Sequence, residues 1–347
     1  MTRNLENFCK QLKKNFRPSS EQDFSKPVRC WSEKDIIDNE VVDAFVIIFE
    51  TRGCSWAFKS GCSMCGYFND SAWRKITEKQ LLQQYQNAMK KYNGEKFVKI
   101  FTSGSFLDEK EISKKVRKKI ITDLSQKTEK ISVESRPEYI TSEVLSDIKN
   151  IEDLNRFEIG VGLETADDSI REKCINKGFT YQDYKKSVEK IKKYGFDLKT
   201  YVLIKPPFIT EEQCIQDAVG TVEKIKNFTD TISFNPVNVQ RNTVVDFLWR
   251  RNQYRPPWLW SIIQILRESK KTVDENVLLK CDVVGGGKRR GAHNDGNCDQ
   301  KILEAIADFS LSQNIEVFEN IDCGCREKWF SQLEIEPLSF GSIIDIK

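Results

Sequence analysis

The stretch "TRGCSWAFKSGCSMCGYF", residues 51–68, sets Cys54, Cys62 and Cys65 in the pattern C-x7-C-x2-C, directly behind the apolar run "VDAFVIIFET" (42–51). A near-continuous run of that kind suits a strand buried on both faces. The thiols therefore stand where a strand opens into a loop. Lys59, Ser60, Gly61 and Ser63 make that loop polar, which argues against three cysteines packed as small apolar side chains. A closed structural zinc site needs four ligands, and no fourth cysteine or histidine lies nearby in the sequence. Three thiolates from one loop suit a four-iron cluster whose remaining iron stays open to a substrate or cofactor.

Outward from this loop, strand-like and helix-like segments alternate. Strand patterns fall at 42–51, 96–105, 130–135, 156–165, 196–207 and 231–240. Helical spacing fills the gaps between them, as in "EKQLLQQYQNAMKKY" (78–92), with Leu81, Leu82, Tyr85 and Met89 along one side. "TYQDYKKSVEKIKKYG" (180–195) ends on a glycine, a common helix stop. Such alternation predicts an α/β fold with a parallel sheet, and six repeats rather than eight predict a partial (βα)6 barrel. Loops at the carboxyl ends of its strands would build the site. The expected organisation is an N-terminal extension (1–41), the barrel (42–240) and a cysteine-rich C-terminal module (241–347), where tryptophans, arginines and prolines change the texture.

The 347 residues suffice for one large domain or two medium ones. With 55 basic and 52 acidic side chains the net charge is +3, so local patches must decide on a nucleic-acid partner. The N-terminal "MTRNLENFCKQLKKNF" has no secretory apolar core, and the 11 cysteines then suggest a reducing cytoplasm where clustered thiols bind metal. No apolar run approaches the ~18 residues of a membrane span.

A three-cysteine loop after the first strand of a six-fold βα barrel resembles the radical SAM enzymes. The first spacing of seven and Met64 in a slot usually held by an aromatic residue point toward the Elp3-like, tRNA-modifying branch. "FTSGSFLD", "ESRPEYIT", "GVGLETADDSIREKCINKGFT", "LIKPPFITEEQ" and "NPVNVQRNT", followed by "RPPWLW", are together similar to the archaeosine synthase radical SAM subunit family, from about residue 28 onward. The resemblance implies a 4Fe-4S cluster on Cys54, Cys62 and Cys65, with S-adenosyl-L-methionine (SAM) beside it. It implies as substrate a tRNA whose 7-cyano-7-deazaguanine already carries lysine, and as reaction a carbon–nitrogen lyase step that leaves archaeosine. A lysine-attaching, transglycosylase-type subunit and an electron donor are the implied partners.

The SAM contacts expected from these motifs are Tyr67, Ser103, Gly104, Ser105, Glu134, Arg136, Glu164 and Lys205. Each has a plainer reading: a strand-ending turn for the "TSGS" segment, a surface ion pair for Glu134 and Arg136, barrel packing for Gly160 and Gly162 before Glu164, a solvent-seeking lysine for Lys205. "RRNQYRPPWLW" sets Arg250, Arg251 and Arg255 among aromatic residues, a composition that suits RNA, although Trp258 and Trp260 read better as core anchors. Lys288, Arg289 and Arg290 in "GGGKRRGAH" add a candidate phosphate clamp. Cys281, His293, Cys298, Cys323 and Cys325 form a candidate second metal site, with zinc ahead of an auxiliary cluster and Asp295 a substitute ligand. The contrasting reading is a non-catalytic RNA-binding protein whose two cysteine groups are zinc staples.

Overall fold

The fold comes from a computed structural model that describes residues 2–14 and 23–339. Eight strands form one sheet in sequence order: β1 (Arg29–Ile37), β2 (Glu40–Ile48), β3 (Phe97–Phe101), β4 (Lys130–Ser135), β5 (Arg156–Glu164), β6 (Asp197–Ile204), β7 (Thr231–Pro236) and β8 (Leu278–Cys281). The helices are α1 (Thr2–Lys13), α2 (Ser55–Lys59), α3 (Glu78–Met89), α4 (Lys114–Ser125), α5 (Ser142–Lys149), α6 (Asp168–Ile170), α7 (Tyr181–Lys193), α8 (Glu211–Ile225), α9 (Val244–Trp249), α10 (Leu259–Thr272), α11 (Asp299–Ser312) and α12 (Cys325–Ser339). From β2 to β8 all neighbours are parallel, and β1 is antiparallel to β2. The result is a curled partial barrel. The six expected strands are all present, and the sheet runs past residues 42 and 240 by one strand on each side.

Strand parity separates two environments. Phe45, Ile47, Val98, Ile100, Ile131, Val133, Ile159, Val161, Val202, Ile232 and Phe234 are buried in the main core, on the face covered by helices. On β4 to β7 the intervening residues are mostly polar and face the lumen, among them Lys130, Ser132, Glu134, Glu158, Lys199, Tyr201 and Ser233. Strand β2 instead is apolar on both faces, through Ala44, Val46 and Ile48. At the lumen floor Lys130 Nζ lies 2.6 Å from Glu158 Oε2, and Ser132 donates to Glu158 at 2.8 Å. Lys99 pairs with Glu33 at 2.7 Å. Asp35 on β1 reaches both Lys99 on β3 and Lys280 on β8, closing by ion pairs the gap that the unpaired sheet edges leave.

The helices start where capping chemistry sets them. Thr77, Thr180 and Thr210 each accept from the backbone three residues on, and Gln80, Asp183 and Gln213 return the bond. These caps fix the helices that follow β2, β5 and β6, and the strand ends between are free to build a site.

Candidate active site

The cysteine loop follows β2 and is held on three sides. The first clamp is the segment after α6, a π-helical turn (Arg171–Ile175) that ends at Asn176 in left-handed backbone with φ 57°. Turns of this kind recur at functional sites. Ser63 donates its N–H to Ile175 O at 2.8 Å and its hydroxyl to Cys174 O at 2.7 Å. Asn176 donates to Ser60 Oγ and Gly61 O at 2.7 and 2.8 Å, and Trp56 Nε1 donates to Asn176 O at 2.8 Å.

The second clamp follows β7. Gln240 accepts from Gly66 N–H, Asn69 Nδ2 donates to Gly66 O and Arg241 O, and Val244 N–H donates to Ser63 O. The third is α1. Ser60 Oγ donates to Glu6 O at 3.2 Å, and Lys13 Nζ donates to Ser60 O. This helix brings Lys13 and Cys9 into the electrostatic neighbourhood of Cys62, so the loop has a fourth cysteine beside it in space.

Burial pushes the Cys54 thiol up and the Cys65 thiol up to about 12, the latter also through Cys62. Buried sulfurs of this kind ionise when a metal supplies positive charge. Arg136 supplies some: although burial pulls it down, Glu138 and the Cys54 and Cys62 sulfurs hold its guanidinium above the ordinary value. It donates to Glu138 at 2.6 Å and to Lys177 O at 3.0 Å, and faces the Trp56 and Phe179 rings at 5.6 and 5.3 Å. Partly buried cysteines ringed by Arg136, Lys177 and Lys13 fit an anionic iron–sulfur centre.

The "TSGS" segment closes against the loop. A Cβ on Gly104 would stand 2.6 Å from Cys54 Cα, so only glycine fits. Ser105 N–H donates to Glu111 Oε1 at 2.8 Å, and Ser105 Oγ accepts from Arg136 N–H at 3.0 Å. Burial pushes Glu111 up to about 7, while Thr51 and Ser105 bonds pull it back. Ser103 is half-exposed at the same strand end, and more than half of Tyr67 is exposed.

Glu134 and Glu164 face the lumen above the glycines. Burial raises Glu134 despite a hydrogen bond from Tyr201. Glu164, in left-handed backbone at φ 70° next to a register shift, pairs with Lys177 Nζ at 2.5 Å. A Cβ on Gly160 would meet the Tyr201 ring at 2.9 Å, and one on Gly162 would meet Glu164 and Lys177 at the same distance. Lys177 is thus a buried cation in the electrostatic neighbourhood of Cys62 and Arg136. No sequence pattern marked it beyond its place in the "CINKGFT" motif.

Lys205 stands elsewhere. It is buried in an ion pair with Glu211, its carbonyl accepts from Tyr254 OH at 2.7 Å, and Glu336 of α12 lies 3.9 Å away. A lysine so paired holds α8 and α12, whereas Lys177 stands beside the cysteine loop.

The basic residues divide too. Arg250, Arg251, Lys288 and Arg289 are exposed. Arg255 is tied to the carbonyls of Pro256, His293 and Asn294, and its guanidinium lies 4.0 Å from the Trp258 ring. Arg290 bonds Val239 O and Asp246 and packs over Trp249. These two brace the tail. Trp258 and Trp260 are core residues.

Of the tail's metal candidates, Cys298, Cys323 and Cys325 converge. Cys281 is buried at the end of β8 beside α11, where its N–H donates to Ser310. His293 holds its Nδ1 2.8 Å from Gly291 O. Neither joins the group.

A curled βα sheet with three cysteines after its first parallel strand defines a radical SAM protein, and residues 48–218 match the model of the Radical SAM superfamily. An Elp3 structure from Methanocaldococcus infernus is similar at 13% identity, covering 75% of this chain and 61% of that one with a TM-score of 0.47. The methylornithine synthase structure covers 95% and 91% at 10% identity with a TM-score of 0.45. Much nearer in sequence is the archaeosine synthase subunit beta of Methanosarcina acetivorans, 40% identical over 92% of this chain and 93% of its own. That of Thermococcus kodakarensis is 35% identical over 86% and 94%. The chain belongs to the archaeosine synthase subunit beta family of radical SAM proteins. That family implies a 4Fe-4S cluster and SAM. No helix among the described residues is long and apolar enough to cross a membrane.

Proposed function

We propose that this protein is the radical SAM lyase that completes archaeosine in tRNA, cleaving a C–N bond of lysine-adducted 7-cyano-7-deazaguanine. The observation that carries the reading is 40% identity across 92% of the chain with an archaeosine synthase subunit beta. Cys54, Cys62 and Cys65 would hold the cluster. Tyr67, Ser103, Glu134, Arg136 and Glu164 surround the place for SAM, with Gly104 admitting the close approach and Ser105 fixing Arg136. Lys177 takes the cationic role expected of Lys205.

When bound, cluster and SAM supply a carbon radical that removes one hydrogen atom from the lysine side chain, next to the nitrogen linking it to the base. The chain's own residues orient the adduct and keep water out. Glu134 and Glu164 would bind the one free amino group of the lysine, and Lys177 and Arg136 its carboxylate or that of SAM. For the C–N bond to break, that carbon would give back the one electron that SAM cleavage consumes and take the free amino group of the lysine as nucleophile. The amidine then stays on the base and the oxidised remnant leaves as a cyclic imine, with protons released.

The proposed partners are tRNA, the lysine-attaching subunit and an electron donor. Lys288 and Arg289 are the exposed side chains proposed to meet phosphates, and Arg250 and Arg251, exposed but engaged with Asp246 and with Phe247, would exchange those partners to join them. Zinc is the metal proposed for the tail. Nucleoside mass spectrometry of tRNA from a strain lacking this gene tests the reading: lysine-adducted deazaguanine accumulates if it holds, and archaeosine persists if it fails.

A further inference from the structure

Cys298, Cys323 and Cys325 come from separate turns of the tail. Cys298 precedes α11, Cys323 lies in the following connection, and Cys325 opens α12. Their sulfurs all lie within 4.8 Å of one another, with Cys298 and Cys325 at 3.5 Å. Among the described residues no other cysteine, histidine, aspartate or glutamate joins them, and Cys54, Cys62 and Cys65 form no such tight group.

Spacing separates two kinds of metal centre. Zinc–sulfur bonds of about 2.3 Å in a tetrahedron set the sulfurs roughly 3.8 Å apart. A four-iron cube attaches each cysteine to a different iron and holds the sulfurs much further apart. The tail group has the single-ion spacing. Two of its sulfurs also have N–H donors in place: Trp260 Nε1 lies 3.2 Å from Cys325 Sγ, and Asn294 Nδ2 lies 3.2 Å from Cys298 Sγ. Such outer bonds orient metal-binding ligands.

We propose that Cys298, Cys323 and Cys325 bind one zinc ion, whose fourth position is taken by water on the side of the partly exposed Cys323. Asp295 is not that fourth ligand, because its carboxylate is engaged by Lys328 at 3.1 Å and by Asn297. The ion ties the start of α12 to the start of α11. Beyond that anchor α12 reaches the barrel mouth through a row of polar contacts. Trp329 Nε1 donates to Ser261, which donates to Glu211, and Gln332 accepts from Trp258. Glu336 accepts from Glu211 N–H at 2.7 Å. Trp329 is buried in the core and Leu333 packs against it, while Phe330, Ile335 and Leu338 stay exposed, so the apolar hold on the helix is confined to one side. A metal at its first turn adds a constraint at the end of the helix nearest α11. The inference concerns residues outside the cysteine loop and stands whether or not the substrate reading does.

The test is elemental analysis of the Cys54→Ser/Cys62→Ser/Cys65→Ser variant, produced with zinc in the medium. The expected result is equimolar zinc and no iron, with zinc lost when Cys323→Ser is added. Cobalt(II) added to the zinc-stripped variant should give thiolate charge-transfer and tetrahedral visible bands. Hydrogen exchange across 325–339 should rise on zinc removal while the barrel strands stay protected. The proposal is overturned if the folded variant holds no zinc and gives no cobalt bands, if it holds iron and sulfide there instead, or if Cys323→Ser leaves zinc unchanged. Should Cys323→Ser fail to fold, the cobalt spectrum and zinc content of the parent variant decide alone.

Discussion

Gly104 and Cys54 are in direct backbone contact: a Cβ on the glycine would stand 2.6 Å from the cysteine's Cα and 2.9 Å from its Cβ. Gly104→Ala must therefore push the cysteine loop away from the β3 end, at an overpacking cost of about 1–3 kcal/mol. Bound iron after reconstitution should fall by more than half with far-ultraviolet circular dichroism unchanged. Gly220→Ala, in α8 with nothing within 4 Å, is the control and should leave iron unchanged.

The cysteine set separates by role. Cys54→Ala, Cys62→Ala and Cys65→Ala should each abolish SAM cleavage and strip most of the iron. Cys9→Ala should keep both, although the fold brings Cys9 near Cys62, because the cluster's fourth iron is reserved for SAM. Iron and sulfide assays with SAM cleavage check all four variants. Loss of iron in Cys9→Ala would make it a ligand.

Acid stability should depend on Glu158. Burial pushes its carboxyl up, but Lys130 and Lys199 prevail and pull it from 4.5 down to about 2. A carboxylate depressed by folding stabilises the native state above its unfolded value and loses that contribution as pH falls from about 4.5 to about 2. The shift corresponds to on the order of 3 kcal/mol. Glu158→Gln should lower stability by about that much near neutral pH and flatten the acid limb, as followed by denaturant unfolding across pH.

The tail's basic residues should split in two. Lys288→Ala/Arg289→Ala should weaken tRNA binding and reduce its salt slope, by up to about 0.9 for each phosphate no longer neutralised. Arg290→Ala should instead lower stability, since its guanidinium bonds Val239 O and Asp246. Filter binding over a salt series, alone and with the partner subunit, checks the first, and thermal unfolding checks the second.

The barrel was legible because each apolar face repeats with strand or helix period and ends on a turn residue. Its two outer strands were not. β1 is joined to β2 by Asp38 and Asn39, both at positive φ, a two-residue hairpin turn without the glycine that usually announces it. β8 has only four residues, too short to show a period. In the site, the three-cysteine loop stood out by its spacing and its place behind an apolar run, and the fold sets it after β2. Lys177 and Lys205 could not be ranked, because only the fold sends one to Glu164 near the cysteines and the other to Glu211 under the tail. Arg255 likewise looked free until its carbonyl partners came into view.

The most direct test of the account is a single-turnover reaction under anaerobic conditions. Reconstituted protein, dithionite and SAM are mixed with tRNA bearing the lysine adduct, labelled with deuterium on the carbon next to the linking nitrogen. The account predicts archaeosine in the tRNA and deuterium in the 5′-deoxyadenosine, in matching amounts. SAM cleavage that leaves the adduct intact, or archaeosine formed without deuterium transfer, would contradict it.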